Sequence, residues 1–567
     1  MSTISAGQAI VRVLEAEGVQ AVFGIPGGHT LPIYDALYDT PGIRHVLVRH
    51  EQVAASMAAG YAQLTGEPGV CCATAGPGAT NLVSGIAEAY IGALPVIILA
   101  GRGSTATTHR GASQEIAQEQ LFRPITKWAV RVDRADLIVD VLRQAFTVAR
   151  SGKPGPVLVD LPRDLLTQQV QFPAYRPVGR PPATRAEPER LRAAAATLLE
   201  AQRPLVVAGG GVIASGAWHE VRHIAEALQA PVLTTLAGRG SLPDDHPLAA
   251  GGIGHHRTWL GKQLLPEADV VLGLGCRFEE QETNWRPSYL PDPAARYIQV
   301  DIDAAEIGRS VAPAIGIVGD IRLLLEELLQ FVGSKSLVAA AARSQKARLQ
   351  QLARDKKKLA AEAGRMAASE QRPIHPLRVI GAVRDVFPRD ASVAIDVGVL
   401  AQGMGGAFPY FKVFEPRSLI VPSSFYGMGF SASALPVAKL VHPQRPAVGF
   451  VGDGSFQMIM NVLPVAAEYR LPVTWCVLND RALGSIWDGQ RAAYGNRVIA
   501  TTFEVQPDFA AIARACHCYG ERIEDPADVT PALERALEAN GRGVPAVLDF
   551  IVARERLEGS VEFFAKR

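Results

Sequence analysis

The chain of 567 residues has no apolar run of membrane-spanning length. Stretches such as Leu94 to Ala100 are as long as a strand and too short to cross a bilayer. An excess of one charge is missing too: 57 Lys and Arg face 56 Asp and Glu, a net +1, so no global field draws in nucleic acid or an anionic membrane surface. The start shows no basic segment followed by an apolar one. An amphipathic helix carrying Ile10, Val13 and Leu14 is expected there instead, without a secretory leader. Cysteine is scarce. Cys71, Cys72, Cys276, Cys476, Cys516 and Cys518 show no C-x-x-C spacing and mostly sit in apolar strands, as reduced core thiols of a cytoplasmic protein do. Cys516-His517-Cys518 is expected at a helix end rather than around a metal. What remains, 48% hydrophobic and 20% charged, describes a well-buried chain too long for one core, with about three domains.

Those domains are announced by a weak internal repeat. Val70 to Ala75, Gly76-Pro77-Gly78, a helix and Leu94-Pro95-Val96 are answered by Val448 to Val451, Gly452-Asp453-Gly454, a helix and Leu471-Pro472-Val473. Two similar parallel-sheet domains are therefore expected at 1–175 and 373–567. They enclose a third α/β domain at 188–333 and a charged, solvated linker helix at 334–372. The class is α/β with three doubly wound sheets. In the central domain Gly209-Gly210-Gly211 lacks the G-x-G-x-x-G spacing, a weak dinucleotide signal. The strand ends Leu236-Ala237-Gly238, Gly275-Cys276-Arg277-Phe278 and Asp301-Ile302-Asp303 would nevertheless share one crevice. There Arg277 could meet a phosphate and the aspartates a ribose.

Two segments carry chemistry. Asp453, after the strand Ala447 to Val451, and Asp480, after the strand Val473 to Leu478, are 27 residues apart, one crossover through a helix. Both would emerge at the carboxyl edge of a parallel sheet, where two hard oxygen donors beside close-approach glycines suit Mg²⁺ holding a diphosphate. Taken alone, Gly-Asp-Gly is a turn; the strand, the helix and the second oxygen donor give it a ligand-binding context. In the N-terminal domain Glu51 ends the strand Val46-Leu47-Val48 and opens a helix. A carboxyl half withdrawn from water there could share a proton with a ring nitrogen, or simply favour the helix dipole.

These stretches, with Phe23-Gly24-Ile25-Pro26-Gly27-Gly28, Arg49-His50-Glu51, Ala59-Gly60-Tyr61-Ala62, Gly76-Pro77-Gly78-Ala79-Thr80-Asn81 and Pro154-Gly155-Pro156-Val157, run in order along nearly the whole chain. In this the chain resembles the acetolactate synthase-like thiamine diphosphate enzymes, a group that includes acetolactate synthases, benzaldehyde lyase and 2-oxo acid decarboxylases. The resemblance implies thiamine diphosphate and Mg²⁺ as cofactors. Glu51 would bond the aminopyrimidine ring, and Asp453, Asp480 and the backbone oxygen of Ala482 would ligate the metal. Met428 would impose the bent cofactor shape, while Gly398, Val399, Gly427, Gly452, Gly454, Ser455, Leu483 and Gly484 would complete the cradle. It further implies a cofactor shared between two subunits, hence a homodimer or homotetramer, and it allows FAD in the central crevice.

Toward the substrate, His29 stands where benzaldehyde lyase and some decarboxylases carry a histidine, and could relay protons; alternatively it caps the following helix. Gln114 matches a family glutamine near the substrate, and Gly489 aligns with the pocket tryptophan of the synthases. The reading that follows is an enzyme that decarboxylates a 2-oxo acid and protonates the resulting enamine or passes it to an aldehyde or ketone. A benzaldehyde lyase-like carboligase and an FAD-linked oxidase are the alternatives.

Overall fold

The computed structural model describes residues 2–554; Met1 and 555–567, the last stretch of the C-terminal domain as expected above, lie outside it. Three six-stranded parallel sheets follow one another along the chain. The first is ordered Arg44–Leu47, Ala21–Gly24, Gly69–Ala73, Val96–Arg102, Val157–Pro162, Trp128–Arg131. The third is ordered Leu419–Ile420, Ser392–Ile395, Ala447–Gly452, Thr474–Asn479, Ala546–Ile551, Tyr519–Ile523. Numbered within each sheet by chain order, both read 2-1-3-4-6-5. The repeat is thus a repeat of topology, and the two Leu-Pro-Val segments open equivalent strands.

Inner strands such as Val96–Arg102 and Thr474–Asn479 are buried along their whole length, because helices cover both faces of a parallel sheet. The Glu51–Thr65 helix ends at Gly66, whose φ of 74° accepts the left-handed cap. Its small residues allow close crossings. A Cβ on Gly85 of the Pro77–Ile91 helix would lie 2.6 Å from Ala55 Cβ, and one on Gly60 would lie 2.7 Å from Ala434 Cβ. The second contact joins the first domain to the Phe430–Ala434 helix of the third, and one hydrophobic cluster runs through both.

The central sheet differs. Its order, Ala249–Gly252, Val232–Thr234, Pro204–Ala208, Val270–Leu274, Arg296–Asp301, Ile315–Val318, is 3-2-1-4-5-6, the order of dinucleotide-binding sheets, with its reversal between Pro204–Ala208 and Val270–Leu274.

Two expectations need correction. The chain opens with a strand, Ser2–Ser5, paired antiparallel to Gln169–Phe172, and only then enters the Ala6–Ala16 helix. The charged linker forms two helices, Lys335–Ser344 and Lys346–Ala367, and the second is docked rather than solvated all round. Leu352 and Leu359 enter a core cluster of the central domain, and Lys356 donates to the carbonyl of His246 at 2.6 Å. Burial lowers the Lys356 ammonium to about 8. All six cysteines are free thiols, and the Phe509–Ala515 helix stops just before Cys516.

Candidate active site

The first sheet collects three of the expected residues at its carboxyl edge. Glu51 begins its helix 7% exposed, and Asn81 donates to Glu51 Oε2 at 2.9 Å. The other oxygen, Oε1, faces the turn after Gly69–Ala73: a Cβ on Gly78 would lie 3.4 Å from it. That Cβ would also lie 2.9 Å from Thr74 Cγ2, and His29 Nδ1 is 3.1 Å from Thr74 Oγ1. His29 therefore stands over the turn that holds Glu51. It does not cap the Leu31–Tyr38 helix, whose cap position is Thr30. Burial, and then the positive charge of Arg163, lower its pKa, so the imidazole is neutral near pH 7.

Gln114 is exposed, with a positive φ of 63°, and its backbone oxygen comes within 2.8 Å of where a Cβ on Gly76 would be. A second glutamine, Gln118, had no sequence signal. It is buried, accepts from Gly76 N at 2.9 Å and donates to Asp160 Oδ1 at 2.8 Å. Arg102 bridges Asp160 at 2.7 Å and Glu119 at 2.8 Å. The turn beneath Glu51 is thus anchored by a buried network reaching two strands away.

The third sheet gathers the other half. Asp453 begins the Asp453–Ile459 helix straight after Ala447–Gly452, and Asp480 follows the adjacent parallel strand Thr474–Asn479. Asp453 is 1% exposed and has no Lys or Arg ion pair among the described residues. Burial, and then the charge of Asp480, push its carboxyl up to about 7. Two acids drawn together out of water favour a cation between them. No group of three or more His, Cys, Asp or Glu side chains suited to a metal occurs among the described residues. The two neighbouring carboxylates are hard oxygen donors, the kind that suits an oxygen-seeking ion such as Mg²⁺.

Open space supports the same fit. A Cβ at Gly398 or Gly452 would meet nothing within 4 Å, and Gly398 takes a φ of 127° before the π-helical turn Val399–Gly405. Gly454 lies against Leu483, and Ala482 bridges Thr502. Ser455 is buried in the same helix. Gly484 opens the Gly484–Ala493 helix, in which Gly489 is buried; Trp487 instead stacks with Arg491 at 4.5 Å and Arg554 at 5.2 Å. Met428 is half-buried in the loop between Gly427 and Gly429. Gln506 is another residue that motif reasoning misses. From a loop 53 residues after Asp453 it donates to Asp453 Oδ2 at 2.7 Å and Asn479 Oδ1 at 3.0 Å.

At its own carboxyl edge the central sheet opens into a cavity of about 530 Å³ lined by Gly210, Gly211, Arg277, Asp301, Asp320 and Arg322. Arg277 also donates to Ile91 O at 2.8 Å and to Glu279 at 3.0 Å.

Two sheets of one topology, one with a buried acid at its carboxyl edge and the other with two neighbouring acids there, fit a cofactor-dependent enzyme of the thiamine type. Family models agree segment by segment: the thiamine pyrophosphate enzyme N-terminal TPP binding domain matches 4–121, the central domain 191–328 and the C-terminal TPP binding domain 402–550. The chain belongs to the thiamine pyrophosphate enzyme family, in its acetolactate synthase-like group. A probable acetolactate synthase large subunit of Methanocaldococcus jannaschii is 37% identical over 558 residues, covering 96% of this chain and 91% of the relative. The acetolactate synthase isozyme 3 large subunit of Escherichia coli is 36% identical, covering 95% and 93%. An acetolactate synthase of Mycobacterium bovis is 35% identical, covering 98% and 89%. Among the described residues no helix is long and apolar enough to cross a membrane.

Proposed function

We propose that the protein is a thiamine diphosphate- and Mg²⁺-dependent enzyme of the acetolactate synthase kind. It would decarboxylate a 2-oxo acid and either protonate the remaining fragment or join it to an aldehyde or ketone. The observation that carries this reading is the pairing of Asp453 with Asp480 at one sheet edge, matched by buried Glu51 at the equivalent edge of the other.

Asp453, Asp480 and the backbone oxygen of Ala482 would hold Mg²⁺ and, through it, the diphosphate; Gly398, Val399, Gly452, Gly454, Ser455, Leu483 and Gly484 would line the cofactor. When bound, thiamine diphosphate would supply a nucleophilic ring carbon and a sink for the electron pair left behind when CO₂ departs. Glu51, oriented by Asn81 through Oε2, presents Oε1 to share a proton with the pyrimidine ring. His29, neutral and tied to Thr74, can accept or return a proton at its other ring nitrogen, Nε2. Gln114 offers an amide at the rim of the same turn. Gly489 leaves no aromatic wall at its position, which would enlarge the site or reshape its acceptor preference relative to the synthases. A homodimer or homotetramer in the cytoplasm is part of this proposal. Half-exposed Leu31, Met458 and Ile486, near the two halves of the site, give apolar surface for a second copy to cover.

Incubation with thiamine diphosphate, Mg²⁺ and a panel of 2-oxo acids, with and without aldehyde acceptors, tests the reading. CO₂ release and carboligation products are expected; no turnover of any 2-oxo acid or of a 2-hydroxyketone would remove it.

The central cavity supports a second component. Its position at the reversal of a 3-2-1-4-5-6 sheet fits a nucleotide, FAD or ADP. Flavin absorbance that bleaches with substrate would mark an oxidase, flavin that stays oxidised would mark a structural role, and colourless protein after FAD addition would leave ADP or no nucleotide.

A further inference from the structure

Met428 lies in a turn whose two flanking amides are each captured by a buried carboxylate. Gly429 N donates to Asp396 Oδ1 at 2.9 Å, and Ala432 N to its Oδ2 at 3.0 Å; Asp396 comes from the same domain. On the other side Gly427 N donates to Glu88 Oε2 at 2.9 Å, and Ser423 N donates to Glu88 Oε1. Glu88 belongs to the first domain, on the Pro77–Ile91 helix, more than 330 residues earlier in the chain.

Glu88 is an unusual way to close a domain contact. It is 1% exposed and makes no ion pair with Lys or Arg among the described residues; the peptide N–H groups of Ser423 and Gly427 bond its two oxygens, and the Ser423 side chain adds to them. Burial raises its pKa, opposed by the bonds from Ser423 and Gly427. If the only need were to join two domains, an apolar side chain would do so without desolvating a carboxylate. What the carboxylate adds is direction: two acceptors fix where two particular amides sit. The turn requires that hold, because Tyr426 adopts a φ of 56°, a strained value for a non-glycine residue, and Gly429 one of 82°. Gly427 is tailored to the clamp as well, since a Cβ there would lie 3.0 Å from Glu88 Oε2. The same helix carries Asn81, which orients Glu51. Asn81 and Glu88 are seven residues apart, two helical turns, and so share one face.

We propose that Glu88 is a positioning residue: it sets the place of Met428 in the cofactor cradle, from a helix that also carries Asn81, the support of Glu51. The proposal rests on the thiamine diphosphate reading. Full-length protein stripped of cofactor is titrated with thiamine diphosphate at saturating Mg²⁺ in a calorimeter, alongside kcat, KM and the melting temperature of the stripped form. Glu88→Gln replaces one acceptor by a donor facing a donor. It is expected to weaken cofactor binding about tenfold or more and to lower kcat, with KM for the 2-oxo acid within about twofold. Gly427→Ala, which crowds the clamp without touching its charge, should move binding and kcat the same way even if Glu88→Gln does not fold. The double variant should fall short of the product of the two effects. Wild-type cofactor affinity and kcat in either folded single variant would overturn the proposal, as would a loss confined to the melting temperature. Wild-type protein that binds no thiamine diphosphate would instead overturn the reading beneath it.

Discussion

Asn81 donates its side-chain amide to Glu51 Oε2 at 2.9 Å, and the carboxyl group is thereby turned so that Oε1 faces the Gly76–Gly78 turn. The acid is thus oriented by a residue one turn into the following helix, and not by its own segment.

This relationship gives the first expectation. Glu51→Gln should cut turnover about 10²–10⁴-fold, the range for losing an acid–base group. Asn81→Ala should lower it roughly tenfold by freeing the carboxyl to rotate. Steady-state rates at saturating cofactor measure both. A wild-type rate in Glu51→Gln would take Glu51 out of the chemistry.

Metal dependence should follow Asp453. Asp453→Ala is expected to weaken Mg²⁺-dependent thiamine diphosphate binding more than about 100-fold, in line with the loss of a direct ligand. Asp480→Asn, which removes one negative charge, should require more Mg²⁺ for half-saturation in the absence of diphosphate. Chelation followed by Mg²⁺ addition should abolish and then restore binding in the wild type, as calorimetry can read.

The pH profile should carry the mark of His29. Burial and Arg163 disfavour its imidazolium, so its pKa is lowered and the neutral form persists to more acid pH than for a free histidine near 6.5. The acid limb of kcat/KM that belongs to His29 should therefore lie below 6.5 and vanish in His29→Ala, with a loss of about 10²-fold. An unchanged limb in His29→Ala would assign it to another group.

Glu282 makes a prediction about stability. It is buried, and burial followed by the charge of Glu279 pushes its carboxyl up to about 8. Between its ordinary value of 4.5 and about 8 the folded protein holds a proton that the unfolded chain has lost, so stability falls as pH rises through this window. Glu282→Gln should remove that slope and raise the melting temperature at pH 8 by about 2–4 °C relative to wild type, with little difference at pH 4.5. Thermal scans across this range would show it, and parallel curves for the two proteins would refute it.

Local features are legible in the sequence. The repeated strand–turn–helix units, the Gly-Asp-Gly turn, the acid closing a strand at Glu51 and the three α/β units all follow from apolar runs, glycines and spacing, which act within about 30 residues. The second strand of the central sheet is readable for the same reason, whereas Ala249–Gly252 escapes notice because its small residues carry no strand pattern. The linker's docked face is hidden by charge: Lys356 looks solvated in sequence but buries its stem and bonds carbonyl oxygens.

By itself the chain determined its class of fold and the sheet edges at which Glu51, Asp453 and Asp480 emerge, because strand polarity and crossover length dictate where such residues come out. Only the tertiary structure decided how these groups are held. Gln118 under the Gly76 turn, Gln506 on Asp453, and Glu88 on the Met428 turn each reach their targets across 42, 53 and 339 residues. A single polar side chain has no periodicity to betray it. Its partner is chosen by which surfaces the packed sheets and helices bring together, and by the cost of leaving a buried amide or carboxylate without one.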